Sequence, residues 1–340
     1  MVVCFFIENT EEKMKKLNDI MPGDFIKDGI FHLKKLRAAG NFGYNLDLMD
    51  SSGQATAYLL PETFKEEYYS YIGKAIKIDG FVDFQNAKPV IKITKISTAA
   101  AGEYDSCELV KALSQEEQQA LISTLQELIN CVNHKGYQAL LKFVFNASTI
   151  KKLSKLPATL NADASFCGGL LHKTVVITKS AYVQAQLLDQ CRVSLYNDIP
   201  ETDYEILITA GLLHLMGKIR EYTDEFPFKK TEIGFLQGTH EITMQTICAC
   251  EKKLSEDEQI TDLEHARLSS VILALYTEKG MRIISREGLI LNNAQNLYEL
   301  QDKQLIAQQE VAGLSTDAAF VYNVKYGGYV ENFNLKKEAN

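Results

Sequence analysis

The chain has 340 residues, of which 46% are hydrophobic and 24% are charged, and its formal net charge is −8. This composition is typical of a soluble globular protein, and the length allows two domains. The negative net charge argues against a protein that coats nucleic acid with a generally basic surface, but it is compatible with a local basic groove. No apolar segment approaches the length of a membrane span, and the 7 cysteines contain no Cys-x-x-Cys pair. We therefore predict buried thiols, no zinc site at Cys248-Ala249-Cys250, no membrane partner and a cytoplasmic protein.

Five strands and a short helix are predicted in the first third of the chain. Alternating apolar and polar residues, separated by turn signals, predict strands at 26–36, 44–48, 54–60, 75–84 and 89–96. Pro61 begins a predicted amphipathic helix at 62–71, since proline is tolerated in the first turn of a helix. Three strands, a helix and two strands is the order of elements in an OB-fold barrel. We predict such a barrel over residues 14–98.

The remainder of the chain is predicted to be helical. Ser114 and Glu117 form a capping-box pattern at the start of a helix that we expect to end near residue 132. Helical periodicity then recurs at 137–145, 169–191, 203–222, 240–254, 262–279 and 285–312, with Gln237 and Gly238 in a loop. The fold class is therefore predicted to be α+β: a five-stranded OB-fold β-barrel, an all-α domain at 105–315, and a tail at 316–340 with a hairpin through Gly327-Gly328.

Five short motifs in the predicted barrel and helical domain resemble those of a known family. They are Met-Pro-Gly-Asp at 21–24, Gly-Gly-Leu-Leu-His-Lys-Thr at 168–174, Ala-Gly-Leu-Leu-His-Leu-Met-Gly-Lys-Ile at 210–219, Leu-Glu-His at 263–265, and Glu-Gly-Leu-Ile-Leu at 287–291. Together they resemble the YhaM-like 3′-to-5′ exoribonucleases, in which an N-terminal OB-fold precedes an HD domain. The resemblance extends from about Met14 to the tail, and it implies an HD-like identity for the helical domain.

The resemblance also implies that most metal ligands of an HD domain are replaced here. The positions that correspond to those ligands are Asp163, Ala164, Lys173, His214, Leu215, Thr239, Ser270, Val271 and Gln295. Aliphatic side chains offer no lone pair, and a lysine ammonium would repel a cation. Because metal-activated water needs several ligands to hold the ion, the resemblance implies a non-catalytic member with no catalytic residue and no cofactor.

Three histidines leave an alternative open. His172, His214 and His240 are possible residual ligands of a rearranged site that would favour zinc or manganese, and the chain would then be an active metal-dependent exonuclease or phosphohydrolase. Otherwise His214 is a core histidine on an apolar helix. His172 lies one position from the ligand position, about 100° round a helix, so it is predicted to point elsewhere.

Two lysines near the same motifs also have two interpretations. Lys173 and Lys218 could form a small anion pocket in place of the metal. Alternatively, each could pair with a carboxylate, for which Glu221 and Asp163 are the candidates, since a buried lysine is rarely left without a partner.

The predicted barrel offers candidates for binding single-stranded RNA or DNA. OB-folds bind single strands through aromatic rings that stack on bases and cations that contact phosphates. The candidates are Lys34, Lys35, Arg37, Phe42, Tyr44, Phe84 and Lys88. In the alternative interpretation, the aromatic residues belong to the core and the lysines form a solvated face.

Three hypotheses for function follow from these observations. The first is a non-catalytic protein that binds a single-stranded nucleic acid or serves as a scaffold, and the second is the active enzyme described above. The third is a subunit that binds a protein partner or a second copy of itself. Tyr322, Tyr326 and Tyr329 of the tail either belong to a hairpin that packs on its own domain or lie at such an interface.

Overall fold

The structure is a computed structural model that describes residues 16–40, 43–85, 88–160, 164–193, 200–276, 285–312, 320–323 and 327–331. The chain divides into two units, Met1–Ala112 and Leu113–Asn340. The boundary therefore lies a few residues after the predicted one at 98–105. The mixed α+β class is confirmed, because the first unit contains a β-barrel and the second is mainly helical.

The first unit is built on a closed five-stranded barrel. Its strands are β1 (Phe25–Ala38), β2 (Tyr44–Met49), β3 (Gln54–Leu59), β4 (Ala75–Gln85) and β5 (Lys88–Thr98), paired in the order β1-β2-β3-β5-β4 and closed between β4 and β1. Neighbouring strands are antiparallel except β3 and β5, which are parallel. All five predicted strands are confirmed.

The barrel encloses an apolar core. Its largest members include Leu33, Leu46, Leu48, Leu59, Ile76, Ile78, Ile91 and Ile93. Each such side chain contributes roughly 1.5–3 kcal/mol when it is fully buried. Irregularities in β1, between Ile26 and Gly29 and between Leu33 and Lys35, let one long strand pair with both β2 and β4. Gly80 on β4 permits a close approach of β5, since a Cβ there would lie 2.4 Å from the carbonyl oxygen of Lys92.

The predicted helix at 62–71 is wrong in type. The chain instead forms two 3₁₀ segments, Pro61–Thr63 and Glu66–Tyr71, with Lys65 in an extended conformation before the second. A 3₁₀ helix has three residues per turn, so Tyr68 and Tyr71 lie on one side, and both pack on the barrel core. Tertiary packing of the aromatic side chains thus outweighs the local amphipathic pattern.

The second unit is a helical domain. Its helices are α1 (Gln115–Asn130), α2 (Lys135–Val144), α3 (Ala147–Lys155), α4 (Gly169–Gln190), α5 (Tyr204–Leu213), α6 (Lys218–Glu221), α7 (Glu232–Glu251), α8 (Asp262–Leu273) and α9 (Arg286–Ala312). The predicted capping box of Ser114 and Glu117 at α1 is confirmed. Helix α5 lies in the core, since every residue from Ile206 to Leu213 is buried, and it packs on α4, α8 and α9.

Several helices differ from the prediction, among them α8, which ends at Leu273 and not at 279. The segment predicted as one helix at 203–222 breaks after α5, where the chain turns at Gly217; a Cβ there would lie 2.1 Å from the carbonyl oxygen of Thr239. The helical conformation is interrupted at Gly238, as predicted, where φ is 72°. The residues before it, which were predicted as a loop at Gln237, are helical as well. Helix α3, which was not predicted, begins at Asn146, whose side chain accepts a hydrogen bond from the Thr149 amide.

The tail forms the predicted hairpin. Strands β6 (Phe320–Asn323) and β7 (Gly328–Glu331) pair and pack on α9 through Val321 and Val330. Tyr322 and Tyr329 face outward as an edge-to-face pair, whereas Tyr326 lies outside the described residues. In the described part of the chain, none of the helices has the length and apolar content that crossing a bilayer requires.

Candidate functional site

His214 lies at the C-terminal end of α5 and is completely buried. Its Nδ1 donates a hydrogen bond to the carbonyl oxygen of Gly211 at 2.5 Å, and its Nε2 has no hydrogen-bond partner among the described residues. Burial lowers the pKa of His214 to about 4, and the positive charge of Lys173 acts in the same direction. The ring is therefore neutral at pH 7, with its proton on Nδ1 and a bare lone pair on Nε2.

Lys173 lies on α4 and reaches the same region. The residue is buried, with 5% of its surface exposed. Its Nζ lies 3.0 Å from Oε1 of Glu299 on α9, and the Gln295 amide donates to the same oxygen at 3.1 Å. Two positions at which the family resemblance implies lost metal ligands thus meet at one carboxylate. That carboxylate was not suggested by the sequence.

A second lysine network lies at the other side of the α5 terminus. Glu221 is 1% exposed and accepts from Lys218 at 3.1 Å, from Lys230 at 2.9 Å and from the Thr239 hydroxyl. Burial alone would raise the pKa of Glu221, but these hydrogen bonds and charges outweigh it and hold the pKa below its usual value. Burial lowers the pKa of Lys218. Of the two interpretations of Lys218, the structure shows pairing with a carboxylate, and Glu221 was one of the two candidates.

The other two histidines make different contacts. The His240 ring lies 5.0 Å from the ring of Tyr276, whose hydroxyl donates to the carbonyl oxygen of His214 at 2.9 Å. His172 instead bonds to the Tyr298 hydroxyl on α9 at 2.8 Å, and burial lowers the pKa of its ring. The partner of His172 is consistent with the prediction that this side chain points away from the ligand position. Tyr276 contacts both the His240 ring and the carbonyl oxygen of His214.

Of the remaining positions that the structure describes, Ala164, Leu215 and Val271 have aliphatic side chains and offer no ligand atom. Ser270 and Val271 line a cleft of about 290 Å³ beside Ile206, at the start of α5, whereas His214 caps its end. Eight helical residues separate these points by about 12 Å. Leu215 and Ala164 are buried in the core, and Asp163 lies outside the described residues.

Among the residues that the structure describes, the donors around His214 do not fit a hydrolytic metal ion. A divalent cation needs several neutral or anionic ligands, and one bare imidazole nitrogen is present. The two nearby carboxylates, Glu221 and Glu299, are already bound by lysines. The Lys173 ammonium adds repulsion, since its charge already disfavours a proton on His214. We refer to His214, Lys173, Glu299, Lys218 and Glu221 as the lysine–carboxylate cluster.

The predicted nucleic-acid-binding residues of the barrel fall into two groups. Lys34 and Lys35 are exposed, and one guanidinium nitrogen of Arg37 lies 2.9 and 2.7 Å from the two carboxylate oxygens of Asp47. Tyr44 is half-buried and stacks on Phe64 at 3.6 Å between ring centroids, so one of its faces is occupied. Phe42 and the side chains of Phe84 and Lys88 lie outside the described part.

A better aromatic surface lies on the outside of the barrel and was not predicted. Phe25 is 87% exposed and stands opposite Phe81, which is 36% exposed, in the β1–β4 register. Phe81 stands opposite Lys92 of β5, whose ammonium lies 5.6 Å from the centre of the Phe81 ring. Lys92 in turn stands opposite Tyr58 of β3. Register partners on adjacent strands point to the same face of a sheet, so these side chains adjoin one another.

The same register continues across the last two strand pairs. Tyr58 stands opposite Asn45 of β2, and Asn45 stands opposite Arg37 at the far end of β1. We call Phe25, Phe81, Lys92, Tyr58, Asn45 and Arg37 the outer row. The signal that could have found it is the alternation along β4, in which Ile78 and Val82 are buried and Phe81 falls at an outward position.

Comparisons with known proteins do not assign the chain to a family: no family model matches its sequence, and no curated protein matches it.

Proposed function

We propose that the chain is a non-catalytic protein that binds single-stranded nucleic acid through the outer row of its barrel. In this proposal the barrel is an OB-fold, and the helical unit is a degenerate HD domain related to that of the YhaM-like exoribonucleases. The observation that carries the proposal is the outer row itself, because it places three aromatic rings and two cations on successive register partners around the outside of the barrel.

The strand order supports the OB-fold assignment. The barrel closes in the order β1-β2-β3-β5-β4 with a parallel β3–β5 pair, and the connection between β3 and β4 carries the short helical segments. OB-folds bind oligonucleotides across their strands with aromatic stacking and phosphate contacts. A single strand laid along the outer row would meet Phe25, Phe81 and Tyr58 with its bases, and Lys92 and Arg37 with its phosphates.

The charge of the molecule is compatible with this role, because most of the net negative charge belongs to residues after Ala112. Stacking contributes about 1–3 kcal/mol per base, so two or three exposed rings would give modest affinity. Lys92 and Arg37 are paired with Asp83 and Asp47, and a phosphate would have to displace these carboxylates. Binding is therefore expected to be weak to moderate and to fall as salt rises.

The lysine–carboxylate cluster supports the non-catalytic part. Its lysines neutralise the carboxylates that a metal would need, and its bonds tie α4 to α9 and α6 to α7. A helical domain keeps its core through apolar packing, which does not depend on metal ligands. We infer that the helical unit serves as a scaffold.

The experiment measures binding of fluorescent single-stranded RNA and DNA of about 16 nucleotides, the upper site size for one OB-fold, by anisotropy at low and physiological salt. Phe81→Ala is expected to weaken binding by about 5- to 100-fold, which corresponds to one stacked base. Tyr69→Ala is the matched control, since Tyr69 is an exposed aromatic residue of the same unit that lies outside the outer row. Absence of binding at low salt, or equal losses in both variants, would contradict the proposal.

The active-enzyme alternative is tested on the same oligonucleotides. The wild-type chain is incubated with manganese or zinc, and shortening of the strand is followed on a denaturing gel. We expect no shortening. Degradation that is lost in a folded His214→Ala variant would replace the non-catalytic proposal by the rearranged hydrolytic site.

A protein interface is a second candidate function because the tail hairpin exposes three aromatic side chains. Phe320, Tyr322 and Tyr329 face outward while the opposite side of the hairpin packs on α9. Sedimentation equilibrium of the wild type and of a Tyr322→Ser/Tyr329→Ser variant tests self-association through this surface. A dimer that becomes a monomer in the variant would support it, and a concentration-independent monomer would exclude it.

A further inference from the structure

Three metal-ligating side chains meet between α7 and α8, away from the lysine–carboxylate cluster. Cys248 and Glu251 lie on α7, and His265 lies on α8. One ligand atom from each lies within 4.8 Å of the others. The sequence led us to consider Cys248 only beside Cys250, but its partner in the fold comes from the next helix.

The distance between sulfur and nitrogen matches that between two ligands of one zinc ion. Sγ of Cys248 lies 3.8 Å from Nε2 of His265. Zinc bonds of about 2.3 Å to sulfur and about 2.0–2.1 Å to nitrogen, at a tetrahedral angle, place the two ligand atoms about 3.6 Å apart. A shift of a few tenths of an ångström would therefore allow both atoms to coordinate the same ion.

Glu251 prepares the imidazole for this role. Its Oε1 lies 2.9 Å from Nδ1 of His265, so the ring carries its proton on Nδ1 and turns the lone pair of Nε2 towards the cysteine sulfur. A carboxylate on the second ring nitrogen is the usual support for a zinc-bound histidine. Residues three apart on a helix share a face, which explains how α7 presents Cys248 and Glu251 to the same ring.

The charges at this cluster favour a cation, in contrast to those at His214. A thiolate and a carboxylate together would balance the two positive charges of zinc. Lys252 is next in sequence to Glu251, but the Glu251 carboxylate accepts its hydrogen bond from His265. The side chains are partly exposed, so the ion and its remaining ligands could enter from solvent.

We propose that Cys248 and His265 bind one zinc ion, with Glu251 as the positioning residue that holds the imidazole. Water molecules or a donor from outside the cluster occupy the two remaining tetrahedral positions. A thiolate and an imidazole suit zinc better than magnesium or calcium, which prefer oxygen ligands. The ion would link α7 to α8 and stabilise the folded state, because the folded chain holds both ligands together and so binds the ion more tightly than the unfolded chain does.

The test uses the reduced full-length chain and cobalt as a spectroscopic substitute for zinc. Titration with Co²⁺ is expected to give a near-ultraviolet thiolate-to-cobalt charge-transfer band that saturates at one ion per chain, and one equivalent of zinc should bleach it. Cys248→Ser should abolish the band, and His265→Asn should weaken zinc binding at least 100-fold. Glu251→Gln should weaken it by about 10- to 100-fold, as for other supporting residues of zinc ligands.

Cys250→Ser is the matched control, since Cys250 lies on the same helix two residues from Cys248 and is not in the cluster. It should retain the band and the zinc affinity. The proposal is overturned if the wild type gives no thiolate band, or if Cys250→Ser loses it as Cys248→Ser does. Far-ultraviolet circular dichroism of each variant before metal addition separates loss of ligand from loss of fold, and the wild-type titration decides the outcome by itself if a variant does not fold.

Discussion

The lysine–carboxylate cluster and the outer row both contain lysines paired with carboxylates, but we assign the cluster a structural role and the outer row a role in binding. In the cluster, the side chains of the Lys218–Glu221 pair are 14% and 1% exposed, whereas those of Lys92 in the outer row and its partner Asp83 are 45% and 47% exposed. Breaking a buried ion pair typically costs 3–5 kcal/mol, and an exposed pair contributes about 0.2–1 kcal/mol. A ligand can therefore displace Asp83 from Lys92 more easily than it can displace Glu221 from Lys218, so burial decides which of these two cations is available for binding.

The largest effect is expected from breaking the cluster. Glu221→Gln removes the negative charge that faces Lys218 and Lys230, and leaves the buried Lys218 ammonium without its carboxylate. We expect the free energy of unfolding to fall by about 3–5 kcal/mol. Urea denaturation followed by circular dichroism measures it.

The matched control for this substitution is Asp83→Asn, which removes one carboxylate from an exposed pair of the barrel. Its effect on the free energy of unfolding should stay below about 1 kcal/mol. Equal effects of the two substitutions would show that burial does not separate the two regions as we argue.

A second difference between the regions is the pH dependence that His214 brings to the helical unit. The folded pKa of about 4 lies below the ordinary value of 6.5, so the unfolded chain binds this proton more readily. The stability that depends on the neutral ring is complete above pH 6.5 and is lost as the pH falls towards 4. Between pH 7 and pH 5 the loss should be about 2 kcal/mol.

The variant that isolates this loss is His214→Asn, which cannot titrate. It should be less stable than the wild type at pH 7, with unchanged binding of oligonucleotides. Between pH 7 and pH 5, its free energy of unfolding should fall by about 2 kcal/mol less than that of the wild type, since the other titrating groups are common to both proteins. Parallel pH profiles would mean that His214 is protonated as easily in the folded chain as in the unfolded one.

The strands of the barrel and the helices of the second unit could largely be predicted from the sequence, because each depends on a local pattern of residues. Alternation of apolar residues predicts the barrel strands, and Ser114 with Glu117 predicts the start of α1. Local patterns failed at residues 62–71, where packing of Tyr68 and Tyr71 on the barrel selects 3₁₀ geometry. Long-range packing, which no short window contains, decided that segment.

The candidate sites were predictable only where the partners are close in sequence. Lys218 and Glu221 are three residues apart, and their pairing could be predicted. Lys173 and Glu299 belong to α4 and α9, so their pairing depends on how distant helices pack. Phe25 and Phe81 become neighbours only through a strand register that includes an irregularity, which the alternation of residues does not specify.

The smallest expected effect tests whether the cations of the outer row are available to a ligand. Asp83→Asn frees Lys92 from its carboxylate, whose Oδ2 lies 2.6 Å from the ammonium. Since an exposed pair contributes about 0.2–1 kcal/mol, single-stranded oligonucleotides should bind up to about fivefold more tightly, and the salt dependence of binding should become steeper. Anisotropy titrations at several salt concentrations measure both quantities.

Glu62→Gln is the control, because it removes an exposed carboxylate of the same unit that lies outside the outer row. If both substitutions raise the affinity equally, the gain comes from the net charge of the unit, and Lys92 has no particular part in binding the phosphates.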